Sequence, residues 1–239
     1  MKMIKKSAST GGLEISAQDM TDINTYAIKE LKAEDIFAFK LAMCDNEVDR
    51  DNECFSLATL HELAELYVGK TVISDHQWSA GNQKARIYKA EVVAGEGVTK
   101  SGEQYNQLVA RCYILRTEGT VELIAEIEAG IKKEVSVGCS VRQVICSVCG
   151  EDNRRHYCDH YAGEVYNGKE CYFTLEGARD AYEVSFVAVP AQPRAGVTKS
   201  YGAEKPDGKE SKDEVLMGVK LASVDAFLFI NKINMEVTE

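Results

Sequence analysis

Apolar residues along the 239-residue chain recur at two periods, and the switches between them lay out the elements. "TDINTYAIKEL" (21–31) sets Ile23, Tyr26, Ala27 and Leu31 at helical spacing, with Thr21 placed to cap them. "IFAFKLAMC" (36–44) alternates Phe37, Phe39, Leu41 and Met43 with smaller or polar residues, the pattern of a half-buried strand. "SLATLHELAELYVGK" returns to the helical period. Ser56 caps it, Leu60, Leu63, Ala64 and Tyr67 form the stripe, and Gly69 ends it. A short strand, "TVIS" (71–74), leads into the loop "DHQWSAGNQK". "ARIYKAEVVA" (85–94) and "YNQLVARCYILR" (105–116) read as antiparallel neighbours, and "TVELIAEIEAGIKK" (120–133) as a helix with Leu123, Ile124, Ile127 and Ile131 on one side.

Two later strands carry unusual polar faces. In "EVSVGCSV" (134–141), Val135, Val137, Cys139 and Val141 share the apolar face, which leaves Glu134, Ser136, Gly138 and Ser140 opposite. In "AYEVSFVAVP" (181–190), Val184, Phe186 and Ala188 are apolar partners, which leaves Glu183 and Ser185 on the other side. Mixed helix and strand signals of this kind predict an α+β fold.

Charge and cysteine content narrow the function. A formal charge of −10 argues against a general nucleic-acid binder, because phosphate contacts need clustered Lys and Arg. No apolar run reaches the roughly 20 residues of a membrane helix, so no membrane partner is expected. Four of the eight cysteines crowd into residues 146–171, which favours a local metal site in a reducing compartment over scattered disulfides. "CSVCGEDNRRHYCDH" offers Cys146, Cys149, Cys158 and His160, with Cys171 and His156 as spare donors. Two thiolates with two residues between them, followed by glycine, form the knuckle that grips half of a tetrahedral zinc. Four protein ligands leave no open position, so the expected zinc is structural. Hydrolysis at that cluster, with Glu151 or Glu164 as base, is the weaker alternative.

The domain reading is an arm at 1–20, a main domain at 21–193 containing a Cys-rich insert at 144–173, a linker at 194–214, and an apolar docking segment at 215–239. Within the main domain, His76, Ser136 and Glu183 are the residue types that nucleophilic acyl transfer requires. A histidine takes the serine proton, and a carboxylate orients the imidazole. Asp75 and Asp180 are alternatives to Glu183, and Ser185 is placed to support it. Cys139 falls on the apolar side and reads as core.

"DNEVDRDNECF", "LYVGKTVISDHQWSAGNQKARIY", "LIAEIEAGIKKEVSVGCSV" and "DAYEVSFVAVPAQPRAGVTK" together resemble the prohead (capsid maturation) proteases of tailed bacteriophages. The resemblance spans about 21–199. It implies an assemblin-like fold, a small and mostly antiparallel β-barrel flanked by helices, with a zinc-type insert. It maps the family's histidine onto His76, its serine onto Ser136 and its acidic third member onto Glu183. The implied activity is a serine endopeptidase acting on scaffold and major capsid protein, and on itself, in the host cytoplasm inside the assembling prohead. A homodimer is expected by the same analogy. The competing expectations are an inactive scaffold of the same fold and a zinc-dependent assembly module.

Overall fold

The computed structural model describes residues 15–198. The chain divides into two units after Gly202, and every described residue belongs to the first. The expected docking segment and most of the expected linker lie outside the described residues, as do residues 1–14 of the arm.

The first helix, α1 (Ala17–Asn24), begins earlier than Thr21 would place it, inside the expected arm. Ser16 and Asp19 decide the start. Asp19 N–H donates to Ser16 Oγ while Ser16 N–H donates to Asp19, a reciprocal capping box. Asn24 decides the end, because its side chain both accepts from and donates to the Leu31 backbone and folds 26–31 back. Asp19 also meets Arg111 on the sheet at 3.1 Å. Burial alone would raise the Asp19 carboxyl, but Ser16 and Arg111 outweigh it and hold it below its ordinary value.

The strands and helices that follow are β1 (Ile36–Asp45), β2 (Glu53–Phe55), α2 (Leu57–Tyr67), β3 (Thr71–Ser74), β4 (Ala85–Val98), β5 (Gln104–Leu115), α3 (Val121–Glu128), β6 (Val135–Cys146), β7 (Val165–Tyr166), β8 (Lys169–Glu170), β9 (Phe173–Phe186) and β10 (Gly196–Thr198). α2 starts and stops where Ser56 and Gly69 require, and Gly69 takes the positive φ of +86°. α3 is shorter than expected. Gly130 turns at φ +73° and leaves Ile131 exposed, so Ile131 does not extend the apolar stripe.

Eight strands form one mixed sheet in the order β10-β1-β5-β4-β3-β9-β2, with β6 on the other edge of β9. The long β9 organises it. β2 and β3 run parallel to its two halves on one edge, and β6 runs antiparallel along the other. Leu60 and Leu63 of α2 and Ile124 and Ile127 of α3 pack with Phe39, Leu41, Val135 and Val184 in a single core. Full burial of such side chains contributes about 1.5–3 kcal/mol each.

The fold is α+β, but the sheet is not the closed barrel expected. Among the described residues, a lone bridge between Glu134 and Gly196 is the link from the β6 side to β10. The segment after β9 holds the gap open. Gln192 Oε1 accepts from Asp45 N–H at the end of β1, and Pro190 O and Ala191 O accept from Arg50. Those two carbonyls therefore bond to the loop after β1, and among the described residues no strand pairs with the other edge of the 135–141 stretch of β6, although side chains of Tyr67 and Arg154 donate to Gly138 O and Val141 O. The start of the expected linker is also sheet, since 196–198 form β10 against β1.

Candidate active site and metal centre

Register places the polar face of β6 against that of β9. Ser136 pairs with Ser185, and Gly138 with Glu183. Directly paired residues point to the same side, so Ser136, Gly138, Glu183 and Ser185 share one face, while Val135, Val137, Val184 and Phe186 enter the core. On the other edge of β9, Ile73 of β3 pairs with Ser185. The chain leaves β3 at Ser74 and folds over the polar face.

Asp75 and His76 make that fold possible. Both adopt left-handed backbone angles, φ +56° and +52°, which are sparsely populated by residues other than glycine. Two hydrogen bonds hold them there: Asp75 N–H to Phe186 O, and His76 N–H to Ser185 Oγ at 3.0 Å. The His76 ring then reaches Glu183, with Nδ1 2.7 Å from Oε1. Because a carboxylate accepts, this bond assigns the ring proton to Nδ1 and leaves the Nε2 lone pair available. Ser185 donates its hydroxyl to Glu183 Oε2 at 2.6 Å. Glu183 is 3% exposed and Ser185 fully buried, so each lost bond would leave an unmatched polar group inside the protein.

Gly138 is a residue whose role the pattern alone does not disclose. A Cβ built there would collide with Glu183 Oε1 and sit 3.2 Å from the carboxyl carbon. Tyr67 fixes the same point from the other side, its hydroxyl donating to Gly138 O at 3.0 Å. Gly138→Ala is therefore expected to cost about 1–3 kcal/mol, the range for overpacking a tight site. It should also displace the carboxylate, seen as loss of the His76 Nδ1 proton resonance in NMR spectra alongside a lower melting temperature.

Ser136 is half-buried on the face that His76 and Glu183 occupy, and no hydrogen bond joins its hydroxyl to the His76 ring. It borders a cavity of about 280 Å³ at the free edge of β6, with Phe55, Val137, Cys139 and Leu175 as apolar walls and Asp49, Asp51 and Glu53 among the polar lining. The alternatives sit elsewhere. Asp180 pairs with Lys70 at 3.6 Å and accepts from the Ala181 amide, and Asp75 makes no hydrogen bond to the imidazole through its side chain. Burial pushes the Cys139 thiol up to about 11, against a Tyr67 hydrogen bond that lowers it, so it is a poor nucleophile near neutral pH.

The cysteine-rich segment hangs from the far ends of β6 and β9. Cys146 ends β6 opposite Phe173. Its N–H donates to Glu151 O, and Gly150, at φ +77°, returns its N–H to Cys146 O. That turn presents Cys149 beside Cys146. Asn153 accepts from Cys158 N–H, and a two-residue Asn167–Gly168 turn closes the β7–β8 hairpin beneath His160. The ligand atoms of Cys146, Cys149, Cys158 and His160 all lie within 4.8 Å of one another. A tetrahedron with metal–sulfur bonds of about 2.3 Å needs sulfurs about 3.8 Å apart, so small movements complete it. His160 Nδ1 is buried with no hydrogen-bond partner, as a waiting ligand would be, and its ring packs edge-on against Tyr166. The set can hold a metal ion. Cys171 Sγ lies 3.9 Å from Cys146 Sγ as a fifth donor, and His156 stays outside the cluster.

No helix among the described residues is long and apolar enough to cross a membrane. No protein-family model, curated protein or solved structure matches the chain.

Proposed function

We propose that the chain is a serine endopeptidase in which Ser136 attacks a peptide carbonyl, His76 accepts and then returns the proton, and Glu183 orients His76. One observation carries this reading. A fully enclosed carboxylate, held by Ser185 and fitted against Gly138, engages a histidine whose ring shares a sheet face with Ser136. Burying an acidic group is costly, and a buried acid–imidazole pair beside a serine is the arrangement that removes the hydroxyl proton and makes the serine oxygen nucleophilic during attack. The free edge of β6 supports it further. Among the described residues β6 has no second strand partner beside Ser136, so an extended peptide has somewhere to add as a strand, and backbone N–H groups at such an edge would stabilise an oxyanion.

The setting rests on the four sequence blocks. They point to maturation of a phage head, with scaffold and major capsid protein as substrates, and to an assemblin-like ancestry whose barrel is here left open. The metal centre is proposed to hold one zinc through Cys146, Cys149, Cys158 and His160, where zinc would supply rigidity to the segment. Ser136 lies ten positions from Cys146 on β6, roughly 33 Å along an extended strand, so the cluster has no part in the acyl transfer.

A second reading, an inactive assembly scaffold, draws on the absent Ser136–His76 hydrogen bond. Such bonds tighten in many enzymes only when substrate binds. A fluorophosphonate probe separates the two readings. The peptidase reading expects one label, mapped to Ser136 by peptide mass, and none on Ser136→Ala or His76→Ala. An unlabelled wild-type protein that leaves co-expressed capsid protein intact would establish the scaffold.

A further inference from the structure

The loop that carries His76 continues to Trp78, the only tryptophan of the chain, a residue 69% exposed. Its indole lies tilted against Tyr182, with ring centroids 5.3 Å apart, and the Tyr182 hydroxyl donates to Ser140 Oγ at 3.1 Å. Tyr182 is pushed out to meet it by a bulge, because β6 steps from Gly138 to Cys139 while β9 steps from Glu183 to Ala181. Both rings border an open cavity of about 550 Å³, whose walls include Ile73, Ala80, Ala181 and Glu183. Its charged groups are already engaged: Lys70 with Asp180, and Glu183 with His76 and Ser185. What remains for a ligand is largely aromatic and aliphatic surface.

Position gives that surface a role. The two cavities share no lining residue: the 280 Å³ cavity includes Ser136 of β6, and the Trp78 cavity is built from β3, the loop that carries His76, and Ala181–Glu183 of β9. Acyl transfer to serine has a direction. The imidazole that took the hydroxyl proton hands it to the departing amine as the C–N bond breaks, so the amine half of the substrate leaves past His76. The acyl half stays on Ser136, next to the β6 edge.

Building on the peptidase reading, we infer that the Trp78–Tyr182 cavity receives an apolar side chain from the amine side of the scissile bond, within the first two residues after the cut. Trp78 and Tyr182 are then specificity residues, and an acidic residue at that position is rejected because it would be desolvated beside Glu183.

The single tryptophan makes this measurable without turnover. Full-length Ser136→Ala is titrated with the tripeptide amides Phe-Gly-Gly, Leu-Gly-Gly and Asp-Gly-Gly, which mimic the released amine half. The expected result is a saturable blue shift of Trp78 emission with the first two and none with the third. Binding should be at least about tenfold weaker in the Ser136→Ala/Tyr182→Ala protein, the scale of losing a few buried methylenes. No saturable response, or equal responses to all three, overturns the inference. In the wild-type background, Trp78→Ala should lower kcat/KM by about tenfold for peptides with Phe or Leu after the cut and narrow the preference for them over peptides with Gly there. An unaltered cleavage preference also overturns it. Labelled Ser136 with no fluorescence response removes this inference alone. A response without labelling removes the peptidase reading, and the amine-side assignment with it.

Discussion

Glu183→Gln is expected to lower turnover by about 10⁴-fold while the protein stays folded, the size of effect that follows when a triad carboxylate becomes an amide. The amide is nearly isosteric, so the fit against Gly138 survives and Ser185 Oγ still finds an acceptor. What changes is the atom facing His76. If the amide nitrogen faces the ring, it donates where the carboxylate accepted, Nδ1 loses its proton, and Nε2 becomes the protonated nitrogen that no longer serves as a base. Peptide-cleavage kinetics give the rate, and a melting temperature within a few degrees of wild type shows that the loss is not unfolding. A variant that cleaves at near wild-type rate would remove Glu183 from the mechanism and reopen the question of which acid serves.

Removing the metal is expected to unfasten the cysteine-rich segment and leave the sheet core standing. Structural zinc sites in small peptides have apparent binding free energies of about 10–16 kcal/mol near neutral pH, and that energy is also the folding energy of the segment. Residues 147–170 contain only the two-residue strands β7 and β8, and beyond the bonds of Glu151–Asn153 to the end of β6 little regular structure holds them in place. Elemental analysis should find one zinc per chain. After chelation, limited proteolysis should cut within 150–168, and metal content should fall in Cys149→Ser and Cys158→Ser. His160→Ala and Cys171→Ser distinguish the fourth ligand: whichever loses stoichiometric metal supplies it. A chain that carries no metal and resists proteolysis equally with and without chelator would dismiss the site.

Local chemistry was legible where short-range rules decide the outcome. Ser56 and Gly69 bracket α2 because caps and stops act within a turn. The alternation of β6 and β9 assigns Ser136, Glu183 and Ser185 to one face because side-chain direction follows strand period. Rules of the same range also misled. Thr21 is a plausible cap, but the reciprocal Ser16–Asp19 pair satisfies two backbone donors and places the helix earlier. Ile131 has helical spacing, but Gly130 ends the helix before it. The parallel pairing of β3 with β9, the bulge that turns out Tyr182, and the open gap beside β6 depend on distant partners, Thr71 with Glu183, Gly138 with Glu183 and Asp45 with Gln192, and no local window of sequence carries them. The role of Gly138 is similar: a glycine in a polar row has meaning only once Glu183 lies opposite.

His76, Ser136 and Glu183 reside on three segments that β9, the last long strand among the described residues, draws together. A ribosome delivers β3 and β6 well before it delivers residue 183. Until that carboxylate emerges, the histidine loop has neither its anchor at Ser185 nor its partner. On the proposed peptidase reading, a nascent chain would carry a harmless serine through most of its synthesis, and hydrolytic competence would arrive late, as a by-product of strand order.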